Sequence, residues 1–375
     1  MSGPTPDLPR WADLYLLPAI NLIMALIVSG IVIALIGENP FEALGVMING
    51  AFFFGDSLGY TLYYTTNFIF TGLAVATAFN ALLFNIGGEG QAYIGGLFAA
   101  LAAFAIGPIF PWFIALPLVV AAAALGGAAW AFIPGLLQAK RDSHIVITTI
   151  MFNFLAASLM VSLLSGSLMQ PGQQSPQTAP LPDAALMPSG TWLFGWLGID
   201  ADRTPLNLSF LVALGCLYLY WLLIWRTRLG YEIRAVGKNP DAAKYAGINV
   251  PRIIIITMLI SGAFAGMMAV NEILGVHEKV ILNFTAGYGF TGIAVALMGR
   301  NHPVGIFLAS LLFGALFQGG LELDFEFQVI TREMVLLIQG LIILFSGALA
   351  YMMQKPLARA IHAIMRKPSL EDTHG

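Results

Sequence analysis

Long stretches without a charged residue alternate with short charged segments along the whole chain. Such stretches occupy 14–37, 57–88, 90–139, 143–182, 204–225, 253–271, 280–299, 301–321 and 334–354. A bilayer-spanning helix needs about 20 mainly apolar residues. Each stretch can therefore hold one helix, and 90–139 can hold two because Gly107-Pro108 supplies a turn. The pattern predicts about ten transmembrane segments.

Two of these stretches depart from a simple span. In 143–182 the apolar pattern ends near Leu164, and a tail rich in Gln, Pro and Ser follows. In 280–299 polar residues and glycines crowd the first half. We expect one helix in the first stretch, and in the second either a full span or a half-helix that enters the membrane without crossing it.

The composition narrows the class of protein. Hydrophobic residues make up 58% of the chain and charged residues 10%, against about 25% charged in a soluble domain. This excludes a soluble enzyme, a nucleic-acid binder and a disordered regulator, and long apolar runs favour helices over the alternating strands of a barrel. We therefore predict an all-α polytopic membrane protein in contact with the lipid bilayer, with one membrane domain over 1–375 and no nucleic-acid partner.

The basic residues predict the orientation of the chain. With ten segments and a cytoplasmic N-terminus, fourteen of the seventeen Lys and Arg residues lie inside and three outside. Basic residues are enriched in cytoplasmic loops, so both termini are predicted to be cytoplasmic. This places 166–204 outside as a long extracytoplasmic loop and 226–252 inside.

The extracytoplasmic loop leaves two interpretations open. Its Pro, Gln and Ser content argues against a regular helix. It is either a docking surface for an external partner or a flexible connector anchored at the membrane interface by Trp192, Phe194 and Trp196. Upstream, 40–54 alternates apolar and polar residues in the manner of a helix lying in the interface plane.

The cytoplasmic loop carries the signals of a capped helix. Asn239 is suited to the N-cap and Pro240 to the first turn, and Asp241 complements the positive helix end. Gly247 can end the helix in the left-handed conformation. A basic tether for lipid headgroups is the alternative, although a tether needs neither cap. The helix is assigned the residues Asn239, Pro240, Asp241, Ala242, Ala243, Tyr245 and Gly247.

Polar residues inside apolar runs are candidates for function, because they are costly in the membrane. Asn85, Glu89 and Gln91 lie in Phe84-Asn85-Ile86-Gly87-Gly88-Glu89-Gly90-Gln91, where glycines interrupt the helix. This segment is either a break at membrane depth beside a water-filled path or a simple cytoplasmic turn. Asn153 lies in the middle of another apolar helix and needs a partner.

Other patterns carry less information. The segment FTGLAVA at 70–76 recurs as FTGIAVA at 290–296, which suggests an internal repeat with both copies running in the same direction. The chain has no phosphate-binding loop, no zinc-ligand spacing and no arrangement typical of a hydrolase. We therefore expect no cofactor, no metal and no enzymatic activity of its own, with ATP bound only by a partner.

Taken together, the motifs resemble the permease subunits of ABC importers in the branched-chain amino acid and monosaccharide permease superfamily, nucleoside (simple-sugar-like) branch. FNIGGEGQ at 84–91, TTIMFNFLA at 148–156 and GYEIRAVGKNPDAAKYAGI at 230–248 carry the similarity. QPGQQSPQTAPLP at 170–182 looks like the longer of two paired permeases. The cytoplasmic segment is a loose version of the family's EAA loop, with Asp241 in place of Glu.

The resemblance implies a type II ABC importer-like fold in the bacterial inner membrane. It further implies a heterodimer with a second, shorter permease, a cytoplasmic ABC ATPase that receives the 239–248 helix, and an extracytoplasmic binding lipoprotein that delivers a nucleoside. Under this resemblance the substrate pathway is formed by Phe84, Asn85, Glu89, Gln91, Phe152 and Asn153, with the two rings stacking on a base.

Three alternatives compete with this interpretation. A sugar or another small polar solute would use the same polar groups. A secondary transporter would need buried carboxylates in several segments, and only Glu89 qualifies. A membrane enzyme would need acidic residues and histidines at one interface, whereas His144 and His277 fall on opposite sides of the predicted membrane.

Overall fold

The protein is almost entirely helical. The computed structural model describes residues 16–197, 203–327, 329–330, 334–341, 344 and 358. The helices are α1 Leu17–Ile36, α2 Pro40–Phe52, α3 Ser57–Phe79, α4 Gly88–Ile106, α5 Trp112–Arg141, α6 Ile145–Leu164, α7 Thr191–Phe194, α8 Ser209–Trp221, α9 Arg228–Lys238, α10 Pro240–Tyr245, α11 Val250–Ala269, α12 Tyr288–Met298 and α13 Pro303–Glu326. Across the described part of the chain, strand-like pairing is limited to one isolated bridge between Gln177 and Ile281.

Two helices continue as π-helix. Leu222–Arg226 extends α8, and Val270–His277 extends α11. Single π turns inside helices are often found at functional sites. The second π segment contains Asn271 and Glu272, which are both buried.

Six helices are long and apolar enough to span a membrane. They are Gly88–Ile106, Trp112–Arg141, Ile145–Leu164, Ser209–Arg226, Val250–His277 and Pro303–Glu326. A bent pair, Ile23–Ile36 with Pro40–Phe52 at 118°, is a seventh candidate. The all-α membrane class and the turn between α4 and α5 are thereby confirmed, whereas most of the predicted 334–354 segment lies outside the described residues.

The helix α3 differs from these spans because it is surrounded by protein. Eighteen of its 23 residues are buried, among them several threonines and Asn67. Thr65, Thr71 and Thr77 donate their hydroxyls to the carbonyl four residues earlier, so these three hydroxyls are satisfied within the helix. A helix covered on all sides does not need the apolar surface that lipid requires.

Packing divides the chain into two compact units, Ile48–Gly319 and a second formed by the described residues of Met1–Met47 and Gly320–Gly375. Within the first unit, α5 and α11 approach through glycines, since a Cβ on Gly127 would lie 2.1 Å from the carbonyl oxygen of Gly262. Small residues allow such close packing of membrane helices. In the second unit, α1 and α2 line an apolar groove of about 400 Å³.

The two copies of the repeated segment touch each other. A Cβ on Gly72 would lie 2.7 Å from Val295, and one on Gly292 would lie 2.6 Å from Thr71. The contacts advance in the same direction along α3 and α12, so the two copies run parallel, as the sequence predicted.

Candidate functional site

The break between α3 and α4 is held by a closed set of amide hydrogen bonds. Asn85 Nδ2 donates to Gln91 Oε1 at 2.9 Å and to Ser261 Oγ at 2.8 Å. Asn85 Oδ1 accepts from the Gly87 N–H at 2.9 Å and from Gln91 Nε2 at 3.1 Å. Asn85 and Gln91 are both 1% exposed. Their side chains replace the backbone bonds that the missing helical turn would have made.

Asn153 on α6 completes the same structure from the other side. Its Oδ1 accepts from the Gly90 N–H at 2.9 Å and its Nδ2 donates to the Ile86 carbonyl at 2.9 Å. Asn153 therefore pairs a donor and an acceptor of the broken backbone. The sequence predicted that this amide needs a partner, and the structure supplies it from 63 residues earlier in the chain.

The depth of the break distinguishes the two interpretations of 84–91. Ser261 lies eleven residues beyond the start of α11, which is about 16 Å along its axis at 1.5 Å per residue. This is roughly half of the 30 Å hydrocarbon thickness. Asn85 therefore bonds to the middle of α11, which favours a break at membrane depth over a turn at the surface.

Glu89 joins this break to the half-helix α12. Its Oε1 accepts from the Gly287 N–H at 2.9 Å and its Oε2 from the Gly289 N–H at 2.8 Å. The carboxylate thus caps the N-terminus of a helix that is eleven residues long, about 16 Å, and so half a membrane thickness. An anion at this position is also favoured by the helix dipole. The helix in 280–299 is thus too short to span a membrane alone, which favours the second of the two expectations, the half-helix.

The two predicted stacking rings each have an aromatic neighbour of their own. Phe84 lies with its centroid 5.9 Å from that of Phe79, and Phe152 lies 5.2 Å from Trp130. Both are half-buried. The structure places Phe84 at the break and Phe152 next to Asn153, on the two elements that meet there.

A second polar cluster surrounds Glu272 on the π segment after α11. Glu272 is 1% exposed, and its Oε1 accepts from Tyr63 Oη and from Asn67 Nδ2, each at 2.5 Å. The neighbouring Asn271 binds Asn67 Oδ1 through its Nδ2 at 2.9 Å. His277 Nε2 lies 3.4 Å from Glu272 Oε2. This cluster joins α3 to the end of α11.

This cluster was not predicted from the sequence. Glu272 is the charge that ends the 253–271 stretch, so it reads as a residue at the rim of the membrane. The signal that could have found it is the succession of Asn271 and Glu272 with Asn67 in another apolar run, since polar groups in separate membrane helices tend to pair.

Aromatic rings pack around the start of α12. Tyr288 lies 6.2 Å from Tyr64, 5.6 Å from Phe68 and 6.0 Å from Phe317, measured between ring centroids. Tyr63 lies 4.9 Å from Tyr64. The rings therefore fill the space between the Glu272 cluster and the end of α12 that Glu89 caps.

The loop 166–204, predicted to be extracytoplasmic, is attached to the end of α11 and its π extension. Leu181 N–H donates to the Glu278 carbonyl at 2.7 Å, and Met187 N–H donates to the Leu274 carbonyl at 2.8 Å. Phe194 is 2% exposed and packs with Leu206, so this ring is a core side chain and the prediction of an interface anchor is wrong for it. Trp196 is exposed, and the side chain of Trp192 lies outside the described part.

The loop 226–252, predicted to be cytoplasmic, contains the predicted capped helix. Asn239 Oδ1 accepts from the Ala242 N–H at 2.9 Å, with Pro240 and Asp241 in the first turn. Gly247 has φ +82°, and the following N–H donates to the Ala243 carbonyl at 3.0 Å, as in a left-handed helix end.

The surface of α10 is largely open. Its residues are exposed except Ala243, and Tyr245 is 94% exposed. The neighbouring helix α9 was not predicted from the sequence. Its buried side is marked by Gly230, Ile233 and Val236 at helical spacing.

Comparisons with known proteins place the chain among transport permeases. A profile of the family described as branched-chain amino acid transport system / permease component matches residues 57–347. The guanosine ABC transporter permease NupP of Bacillus subtilis is 38% identical over 347 residues, which cover 91% of this chain and 96% of that protein. The glucose ABC transporter permease TsgB13 of Haloferax volcanii is 35% identical over 346 residues, which cover 91% and 89%.

A third relative extends this set. The nucleoside ABC transporter permease NupB of Lactococcus lactis is 32% identical over 308 residues, which cover 81% of this chain and 83% of that protein. No solved structure matches the chain significantly.

Proposed function

The chain belongs to the branched-chain amino acid transport permease family, and on that basis we propose that it is the membrane permease subunit of an ATP-driven importer whose substrate is a nucleoside. The observation that carries the proposal is the similarity to a guanosine permease, 38% identical over 96% of that protein. A glucose permease at 35% identity supports a sugar as the second candidate. The test must therefore compare the two solutes.

We assign the predicted ten-segment topology, with both termini in the cytoplasm of a bacterial inner-membrane protein. The predicted distribution of fourteen basic residues on one side and three on the other supports it. In this orientation α10 faces the cytoplasm, and its exposed surface receives the groove of a separate ABC ATPase. ATP binds to that partner subunit, since the chain itself lacks a phosphate-binding loop.

On the opposite side, the loop 166–204 receives an extracytoplasmic binding protein. Its backbone bonds to Leu274 and Glu278 support this role, because a loop fixed to the end of a membrane helix can transmit a docking event. A second, shorter permease of the same family completes the pathway. The resemblance of 170–182 to the longer member of such pairs supports the heterodimer.

The pathway itself runs along the break at 80–87 and the half-helix α12. Asn85, Gln91 and Asn153 fix the backbone conformation of the break by hydrogen bonds, and Glu89 binds α12 next to the break. Phe84 and Phe152 are the proposed stacking rings for the base. A break at membrane depth, covered by protein or water, is where irregular backbone is tolerated in a membrane.

The proposal is tested by uptake into vesicles that contain this chain with its partner permease, ATPase and binding protein. We expect guanosine uptake that needs both internal ATP and the binding protein, and that excess glucose does not inhibit. Glucose uptake with the same requirements would assign a sugar instead. Uptake by this chain alone under an ion gradient would contradict the importer and identify a secondary transporter.

A substitution of Glu89 tests the assignment of the pathway. Glu89→Gln leaves one acceptor oxygen for two backbone N–H groups, so one charge-assisted bond of about 1.5–3 kcal/mol is lost. We expect guanosine uptake to fall at least about tenfold while the complex still purifies intact. Glu42→Gln, at an exposed carboxylate on α2, is the matched control and should transport normally.

Asn153→Ala is the companion variant. It removes both bonds to the broken backbone and should lower uptake in the same way. Full uptake by both variants would return these residues to a purely structural role.

A further inference from the structure

A single buried phenol connects the two interrupted elements of the membrane domain. Tyr220 on α8 is fully buried. Its hydroxyl accepts a hydrogen bond from Asn80 Nδ2 at 2.9 Å and donates one to the carbonyl of Asn301 at 2.7 Å. Asn80 follows the last residue of α3, where the break begins, and Asn301 lies in the turn between α12 and α13.

The turn at Asn301 contains two residues in an unfavourable backbone conformation. Arg300 and Asn301 have φ values of +52° and +55°, a left-handed conformation that costs an L-residue free energy and that Asn tolerates better than most. The turn has its own bonds, from Asn301 N–H to the Ala296 carbonyl at 3.0 Å. Tyr220 adds a bond from outside, to the carbonyl of the second left-handed residue.

The cytoplasmic loop reaches the same point. A Cβ on Gly237 of α9 would lie 2.1 Å from the carbonyl oxygen of Asn80 and 3.1 Å from Cα of Ala81. Backbone packs directly on backbone there, so α9 cannot be displaced without displacing the start of the break.

The other end of α9 is attached to the helix that carries Tyr220. Arg234 donates to the Ile224 carbonyl, and Thr227 Oγ1 donates to the Leu223 carbonyl at 2.6 Å. A Cβ on Gly230 would lie 2.1 Å from the Leu223 carbonyl oxygen. The helices α8 and α9 therefore form one rigid corner around the π segment Leu222–Arg226.

The half-helix α12 is thus bound at both ends to the residues that flank the break between α3 and α4. Glu89 binds its N-terminus to α4, after the break. Tyr220 binds the turn after its C-terminus to Asn80, before the break. The break and α12 are thus linked at both ends of α12, and the corner formed by α8 and α9 is attached to one end of this pair.

We propose that Tyr220 is a positioning residue that transmits movement of the cytoplasmic loop to the break and to α12. This inference rests on the proposed importer function, because it assigns the internal route between the ATPase contact at α10 and the pathway. Tyr220 does not contact substrate. It keeps Asn80 and Asn301 at a fixed distance from each other, so that displacement of α9 moves the break and α12 at once.

The variant Tyr220→Phe isolates the hydroxyl. The ring keeps its packing against Trp225 and Phe264, at centroid distances of 5.7 and 6.5 Å. Asn80 Nδ2 keeps its bond to the Ala76 carbonyl, whereas the bonds through the hydroxyl to Asn80 and Asn301 are lost. Tyr218→Phe is the matched control, since Tyr218 is on the same helix and 61% exposed.

The experiment measures ATP hydrolysed per guanosine imported by the complete complex in vesicles. For Tyr220→Phe we expect ATP hydrolysis to continue at near wild-type rate while uptake falls, so that the ratio rises about fivefold, the factor that corresponds to one net hydrogen bond of about 1 kcal/mol. Tyr218→Phe should keep the wild-type ratio. An unchanged ratio in Tyr220→Phe, with or without a loss of both rates, would overturn the proposal.

A second pair of variants tests the route from the other side and does not depend on the phenol. Gly237→Ala introduces a methyl group into the contact with Asn80 and should raise the same ratio. Gly215→Ala on α8 has open space around its Cβ and should not. If Gly237→Ala also leaves the ratio unchanged, the route is wrong. If the wild-type complex itself shows no ATP-dependent uptake, the proposed function fails instead.

Discussion

Among single side chains, two carboxylates carry the most information, the half-buried Glu89 and the buried Glu272. Glu89 and Glu272 are both engaged by donors of the same chain, Glu89 by two backbone N–H groups and Glu272 by a phenol and an amide. A buried carboxylate is tolerated only when such donors compensate for the lost water. Each therefore fixes the relative position of two helices, and neither is a free ligand waiting for substrate in this conformation.

Replacement of Glu272 should destabilise the protein. Glu272→Ala leaves the Tyr63 hydroxyl and an Asn67 N–H buried without their acceptor, and each unsatisfied donor costs about 1–3 kcal/mol. We expect a clear fall in the midpoint of thermal unfolding of the detergent-solubilised protein. Glu272→Gln keeps one acceptor oxygen and should lose less than half as much.

Glu326→Ala supplies the matched control for this series, because Glu326 is exposed at the end of α13. Its unfolding midpoint should equal that of the wild type. Equal midpoints for Glu272→Ala and Glu326→Ala would show that the cluster does not contribute to stability.

Among the elements, α12 and α10 are short helices whose ends are stabilised by identifiable contacts. The helix α12 begins after Gly287 at φ +82° and needs an acceptor for its first N–H groups, which Glu89 supplies. The helix α10 is short, six residues, and an isolated helix of that length is not stable in water. Its caps and its contact through Ala243 compensate, and they leave Tyr245 pointing away from the protein.

The exposure of Tyr245 makes a prediction about α10. Tyr245→Ala removes a ring that is 94% exposed, so the stability of this chain should stay within about 0.5 kcal/mol of wild type. Binding of the ATPase subunit should weaken by about tenfold or more, as expected for an aromatic residue that anchors an interface. Affinity between the purified subunits is the measurement.

Tyr231→Ala on α9 is the control for this measurement, since Tyr231 is 61% exposed and lies outside α10. It should bind the ATPase as the wild type does. If both variants bind equally well, α10 is not the docking element.

For the whole molecule, the topology predicts on which side of the membrane each loop lies. The chain has one cysteine, Cys216, which is buried. In a Cys216→Ser background, Asp183→Cys and Asp241→Cys place single thiols at exposed positions on the two predicted sides. A membrane-impermeant thiol reagent added to intact cells should label residue 183 and leave residue 241 unlabelled until the membrane is opened.

Labelling of both positions from one side would contradict the orientation and the alternation of the segments between them. It would also remove the support for docking of the ATPase at α10. The background variant without a second cysteine controls for labelling of other groups.

Much of this architecture follows from local pattern. The uncharged stretches predicted the helices, Gly107-Pro108 the turn before α5, and Asn239 with Gly247 the caps of α10. The break at 84–91 was recognised from its glycines, but its depth was not, because a glycine-rich segment has the same local pattern in a surface turn. The helix α9 was missed because its apolar positions are few and lie among charged residues.

The amino-acid sequence alone determined that the chain is a helical membrane protein, and it located most of its long helices and the caps of α10; the side on which its basic loops lie stays a prediction. These properties depend on hydrophobicity, charge and helix caps within some twenty residues. Only the tertiary structure decided the partners of Glu89, Asn153, Glu272 and Tyr220, which lie 63 to 209 residues away in the chain. Such pairs are selected by how whole helices pack, and helix packing brings together positions that no local pattern relates.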